Sequence, residues 1–244
     1  MTPMSNKPKH PLHTKESSAE ISKLLIDAKN ADIHFTLTYF ELASVGSTAR
    51  ELLEYAGVNH TKKTVTELHL SESIVIDTFL AERFGLLGDN IWEANLVRTF
   101  YINMTYLRER TFTVAFANPM EQRIKNRAWL LDNVLRKFLQ DHEHHLKENG
   151  SNGHYVGDKV TLADIHLWNI VHFFGTVPWG QKVIDEFKKH SSVWKVKETV
   201  DGLPQLAKWR TSEEFKATER SSIEDYADTG LDGEDVVAPL AVIN

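Results

Sequence analysis

From Asn90 to Phe215, apolar residues recur at three- and four-residue spacings, and this pattern commits more than half of the 244-residue chain to packed helices. Ile91 to Phe116 carries the first long run, and Pro119 ends it. Glu121 to Asn149 carries the second, with Ile124, Trp129, Leu130, Val134, Leu135 and Phe138 expected to face inward. Gly150 to Gly157 reads as a loop. Thr161-Leu162-Ala163-Asp164 starts another helix, through Phe174, and Gln181 to Phe215 supplies shorter helices around a break at Gly202-Leu203-Pro204.

The first third reads differently. Residues 1–16 are polar and proline-containing, with no face to bury, and predict a disordered leader. Ile21, Leu24, Leu25 and Ala28 predict a short amphipathic helix over Ser17 to Asn30. Ile33, Phe35, Leu37 and Tyr39 alternate with His34, Thr36, Thr38 and Phe40, which predicts a strand over Ile33 to Leu42. After a loop at Ala43-Ser44-Val45-Gly46, a helix is expected from Ser47 or Thr48 through Tyr55, stopped by Gly57. Lys62 to Leu70 is short and β-prone. Ser71 is the expected N-cap of a helix that buries Ile74, Val75, Phe79 and Leu80 and ends at Gly85. From Glu219 the chain turns acidic and predicts a disordered tail, with Val236 to Ile243 apolar enough to pack.

Composition excludes several function classes. A net charge of -6, with Lys and Arg spread along the chain, argues against nucleic-acid binding. The chain has no cysteine, so a protein thiol carries no chemistry here and disulfides are impossible. No apolar run approaches the roughly 20 residues of a membrane span, and the leader lacks the apolar stretch of a secretory signal. A soluble cytoplasmic protein is the expectation.

Four local patterns bear on chemistry. Thr161-x-x-Asp164 has the form of a capping box, flanked by Val160 and Ile165 as a hydrophobic staple, and its role is structural. Tyr39 ends the expected strand ahead of a helix start. A hydroxyl so placed can donate to a thiolate and lower the thiol's pKa, although the same pattern fits a core tyrosine at a sheet edge. Glu72-Ser73 opens a helix, where backbone N–H groups attract a carboxylate and Glu72 can pair with an ammonium group. An ordinary capped helix has the same sequence. Asp141-His142-Glu143-His144-His145 resembles a metal cluster, but no supporting ligand stands elsewhere, so it reads as a solvated helix face and no metal site is expected.

The order of the pieces from Phe35 to Phe215 resembles the glutathione S-transferase family. The resemblance rests on the Tyr-bearing first strand, Leu52-Leu53-Glu54-Tyr55-Ala56-Gly57, the run Ser71 to Ala81, Gly85-Leu86-Leu87-Gly88, and Tyr155 to Ile165. It implies a mostly helical fold with a small α/β part: a thioredoxin-like N-terminal domain over 33–88, an all-helical domain over 89–218, an extension at 1–32 and an acidic tail at 219–244. It further implies that Tyr39 stabilises the glutathione thiolate, that Glu72 and Ser73 hold the γ-glutamyl group, and that Ser44 is a fallback donor. Glutathione would be cosubstrate rather than cofactor. The other partners would be a hydrophobic electrophile and a second copy of the chain.

Three departures accompany the resemblance. There is no proline between Pro11 and Pro119, and Val58 to Ser71 is too short for the strand, helix and strand that carry the family's cis-proline, so the thioredoxin-like half is incomplete. The arginine of the first loop falls near Ala43, and Tyr101-Ile102-Asn103 stands where some classes carry an acid. A scaffold or binding protein that has lost the glutathione site is therefore the alternative function.

Overall fold

The computed structural model describes Phe35, Leu37, Tyr39 and residues 44–58, 70–115 and 120–227. The expected leader, the first amphipathic helix, most of the strand over Ile33 to Leu42, the Lys62 to Leu70 segment except Leu70, and the last seventeen residues lie outside these. The described chain is mostly helical. Helix α1 (Ser47–Tyr55) and helix α2 (Ser73–Arg83) precede the long α3 (Ile91–Ala115). Then come α4 (Met120–Trp129), a π-helical segment (Leu130–Leu135) and α5 (Arg136–Glu148), followed by α6 (Leu162–Gly175), α7 (Gly180–Lys188), α8 (Ser191–Asp201), α9 (Pro204–Arg210) and α10 (Glu213–Tyr226).

Helix α6 is the axis of the packing. Twelve of its fourteen residues are buried, so it has no solvent stripe and must be covered on all sides. Helices α3, α7 and α8 cover it from the helical half, and α1 and α2 from the other. One core cluster runs from Ala49, Leu52 and Leu53 through Leu80 and Tyr101 to Ile165, Phe174 and Val196. Phe35 and Leu37 pack against it. The two parts are also stitched by polar groups. The Thr48 hydroxyl lies 2.8 Å from His166 Nδ1, and the Leu162 N–H donates to the Leu86 carbonyl at 2.9 Å.

The capping box at Thr161 forms as the spacing predicts. Gly57 and Gly85 end α1 and α2 at φ +62° and +71°, which glycine adopts without the steric cost of a Cβ.

Other expectations fail for physical reasons. Helix α2 begins at Ser73 with Glu72 as N-cap, not Ser71. Its buried residues are Asp77, Leu80 and Ala81, while Ile74 and Val75 are 39% and 47% exposed. Ile124 and Trp129, expected inside, are each 52% exposed. The cause is the π-helical segment, where the Arg136 N–H bonds back to the Leu131 carbonyl, five residues earlier. One residue inserted into the turn shifts the phase of everything before it relative to α5. Glu219 to Tyr226, expected to be disordered, completes α10, whose start is capped by Ser212 Oγ accepting from the Phe215 N–H at 3.1 Å. No helix among the described residues is long and apolar enough to cross a membrane.

Candidate functional site

Tyr39 and Ser44 flank the entry to α1. Gly46 makes their approach possible: a Cβ there would stand 2.5 Å from the Tyr39 ring, so only glycine lets the loop lie against it. The Arg50 guanidinium lies 5.7 Å from the centre of the same ring. Ser44 is buried, and its hydroxyl hydrogen-bonds Tyr226 at the end of α10. Tyr226 is 6% exposed, and burial pushes its phenol up, with Tyr39 adding to the shift. Its ring meets Phe112 and Phe173 at 6.1 and 5.7 Å. The structure thus gathers Tyr39 and Ser44 around a third residue, Tyr226, that the sequence reading missed. A signal was present: Phe215, Thr218, Ser222 and Tyr226 recur at helical spacing into the acidic stretch.

Glu72 and Ser73 stand at the start of α2. Glu72 has φ +70° and ψ +119°, outside the regions that a side chain with a Cβ favours. Such a conformation costs of order 1–3 kcal/mol and persists where the surroundings impose it, often at ligand sites. Glu72 is exposed, and its side chain does not cap its own helix. A carboxylate at an N-cap ordinarily folds onto the first-turn N–H groups. Here Glu72 is exposed and makes no such bond.

Beneath these groups runs a buried polar network. The Tyr101 hydroxyl donates to Asp77 Oδ2 at 2.7 Å, the Tyr101 ring packs 4.5 Å from His166, and His166 Nε2 lies 3.2 Å from the Thr105 hydroxyl. His166 is fully buried, and burial holds its pKa well below the usual histidine value, so its ring is neutral. Burial pushes the Asp77 carboxyl up to about 7, against the opposing Tyr101 hydrogen bond and Arg108 charge. An acid whose folded pKa is raised contributes stability that is complete below its unfolded pKa, near 4, and is lost as pH rises through about 7. Asp77→Asn cannot ionise and escapes that loss. Urea denaturation should find the variant gaining about 2–3 kcal/mol on the wild type between pH 5 and pH 8. An unchanged difference between those pH values would show that Asp77 titrates normally.

The acidic-histidine segment is not the solvated face that was expected. His142 is buried, with Nδ1 2.8 Å from the Tyr155 hydroxyl, and burial drops its pKa to about 3. Glu143 accepts the Ser192 and Val193 N–H groups at 2.9 and 3.1 Å, capping α8 from another helix. These side chains are structural. Among the described residues no group of three His, Asp or Glu stands ready to hold a metal.

Comparison with known proteins followed the same outline. Residues 106–213 match the family model described as glutathione S-transferase, C-terminal domain. A Dictyostelium discoideum protein whose name includes glutathione S-transferase alpha-2 is 26% identical over 205 residues, covering 74% of this chain and 96% of that one. Those 205 positions exceed the share of this chain that takes part, so the relative carries residues with no counterpart here. Glutathione S-transferase 3 of Caenorhabditis elegans is 23% identical, covering 72% of this chain and 95% of its own. A solved prostaglandin synthase D of Nilaparvata lugens shares the fold with a TM-score of 0.65 at 20% identity, over 74% of this chain and 98% of that one.

Proposed function

We propose that the chain is a glutathione S-transferase family member that binds glutathione between Tyr39 and the start of α2 and transfers its thiolate to hydrophobic electrophiles. The observation that carries this reading is Glu72: a strained, exposed N-cap carboxylate that leaves its own helix uncapped. Its carboxylate would take the γ-glutamyl ammonium group. The first-turn N–H groups and the Ser73 hydroxyl would take the α-carboxylate.

In this reading the Tyr39 hydroxyl donates to the glutathione sulfur. Donation to the charged form favours thiolate over thiol and lowers a pKa that is about 8.5 for a free thiol. The thiol proton leaves to water, the sulfur lone pair forms the new S–C bond, and the leaving group departs with its electron pair. Ser44 is the weaker candidate for this role, because its hydroxyl already bonds Tyr226.

The test is calorimetric titration with glutathione, paired with conjugation of 1-chloro-2,4-dinitrobenzene. Wild type should bind glutathione saturably. Tyr39→Phe should keep that binding, lower kcat about tenfold to a hundredfold, and move the pH of half-maximal rate upward. Equal rates for the two proteins would remove Tyr39 from the mechanism. A folded wild type that binds no glutathione would favour the scaffold alternative.

A further inference from the structure

Arg108, near the middle of α3, is 3% exposed. Its Nε and Nη2 have no hydrogen-bond partner. Glu109 brings a carboxylate oxygen within 3.5 Å of Nη2 but makes no hydrogen bond, and its own side chain is 57% exposed. A guanidinium withdrawn from water with unused donors is expensive, and native structures keep one where something compensates it. Asp77 is close enough to feel the charge, yet its Oδ1 is equally unpartnered, so the two do not meet. One turn further along α3, Phe112 stands beside Tyr226, the residue bonded to Ser44. The charge of Arg108 reaches Tyr226 as well as Asp77. A buried cation with spare donors therefore lies one helical turn from Phe112, whose ring meets Tyr226.

We propose that Arg108 binds a carboxylate on the electrophilic substrate, so that this chain prefers acceptors pairing an aromatic body with an anionic group. The proposal rests on the transferase reading of the Tyr39 site. The aromatic body lies against Phe112 and Tyr226, and the carboxylate supplies the acceptors that the Arg108 nitrogens lack. Charge-assisted hydrogen bonds of this kind are the strong ones, and a planar guanidinium takes a carboxylate through two of them.

The probes are 4-chloro-3-nitrobenzoate and its methyl ester, with each rate divided by the uncatalysed rate. Wild type should favour the acid in kcat/KM. Arg108→Met should lower the acid-over-ester ratio about tenfold to a hundredfold, and Arg108→Lys should restore part of it. Arg108→Met also removes a buried charge whose Nε and Nη2 make no hydrogen bond, so it should melt no lower than wild type. Arg108→Gln replaces it if it fails to fold. Calorimetric binding of the two probes is measured alongside. An unchanged ratio in both turnover and binding overturns the proposal, as does a large fall in melting temperature with equal losses on both probes, the mark of a purely structural arginine. Turnover without acid preference would sink Arg108 and leave the transferase reading intact. Acid preference in binding without turnover of either probe would do the reverse.

Discussion

Asp164→Ala should cost about 4 kcal/mol of folding stability and lower the melting temperature by roughly 10–15 °C. The carboxylate is fully buried. Its Oδ2 accepts the Thr161 N–H at 2.7 Å and the Thr161 hydroxyl at 2.9 Å, and its Oδ1 accepts the Tyr155 N–H at 2.7 Å. Alanine strands three donors away from water, each worth about 1–3 kcal/mol, which exceeds the loss of an ordinary exposed cap. It also frees the loop that carries Tyr155 from the start of α6. Thr161→Val, which keeps the carboxylate and its two backbone bonds, should lose only about 1 kcal/mol. Urea denaturation of the three proteins checks this, with unchanged m-values showing that the same structure unfolds. A loss below about 1 kcal/mol for Asp164→Ala would mean that water or rearrangement satisfies the donors.

Arg210→Met should cost about 3–5 kcal/mol, the usual penalty for stripping one partner from a buried ion pair. Arg210 Nη2 donates to Glu51 Oε2 at 2.7 Å, Nη1 donates to the Val200 carbonyl at 2.9 Å, and the guanidinium lies 3.6 Å from the centre of the Trp168 ring. Glu51 is 1% exposed, and burial raises its pKa despite the opposing Arg210 charge. Without Arg210 that carboxyl shifts further up. The loss should therefore shrink as pH falls and protonation of Glu51 becomes easier, and be largest at alkaline pH. Replacing Glu51 with Leu in the same protein should recover most of the stability, because an apolar pair carries no desolvation penalty. If the double variant is no better than the single one, packing of Arg210 on Trp168 is what matters, not the charge.

Local patterns were legible in the sequence to the extent that their physics is local. Thr161-x-x-Asp164 announced the cap because both halves of the box lie within one turn. The bond from the Tyr155 N–H to the same carboxylate had no such marker. Gly57 and Gly85 marked helix ends because left-handed backbone selects for glycine. The face of α2 was misread because Ile74 and Val75, though apolar, stay exposed, whereas Asp77 finds Tyr101 across the fold. Periodicity read through the π-helical segment placed Ile124 and Trp129 on the wrong side, since nothing in Leu130 to Leu135 signals an extra residue per turn. Of the candidate site residues, Tyr39, Ser44, Glu72 and Ser73 were proposed through family resemblance. Arg108 and Tyr226 were not. An arginine on a helix is normally an exposed residue, and only burial without partners sets this one apart.

The continuity of the core has a consequence for how such a chain tolerates loss. Helix α1 spends Ala49, Leu52 and Leu53 in the same cluster as α3 and α6, and Thr48 meets His166 there. An element anchored in this way does not depend on its own domain to stay folded. Changes outside α1 and α2 on their side of the molecule therefore leave these core contacts in place. A short helix of this kind is held by the long helices it packs on, so its stability is set by theirs.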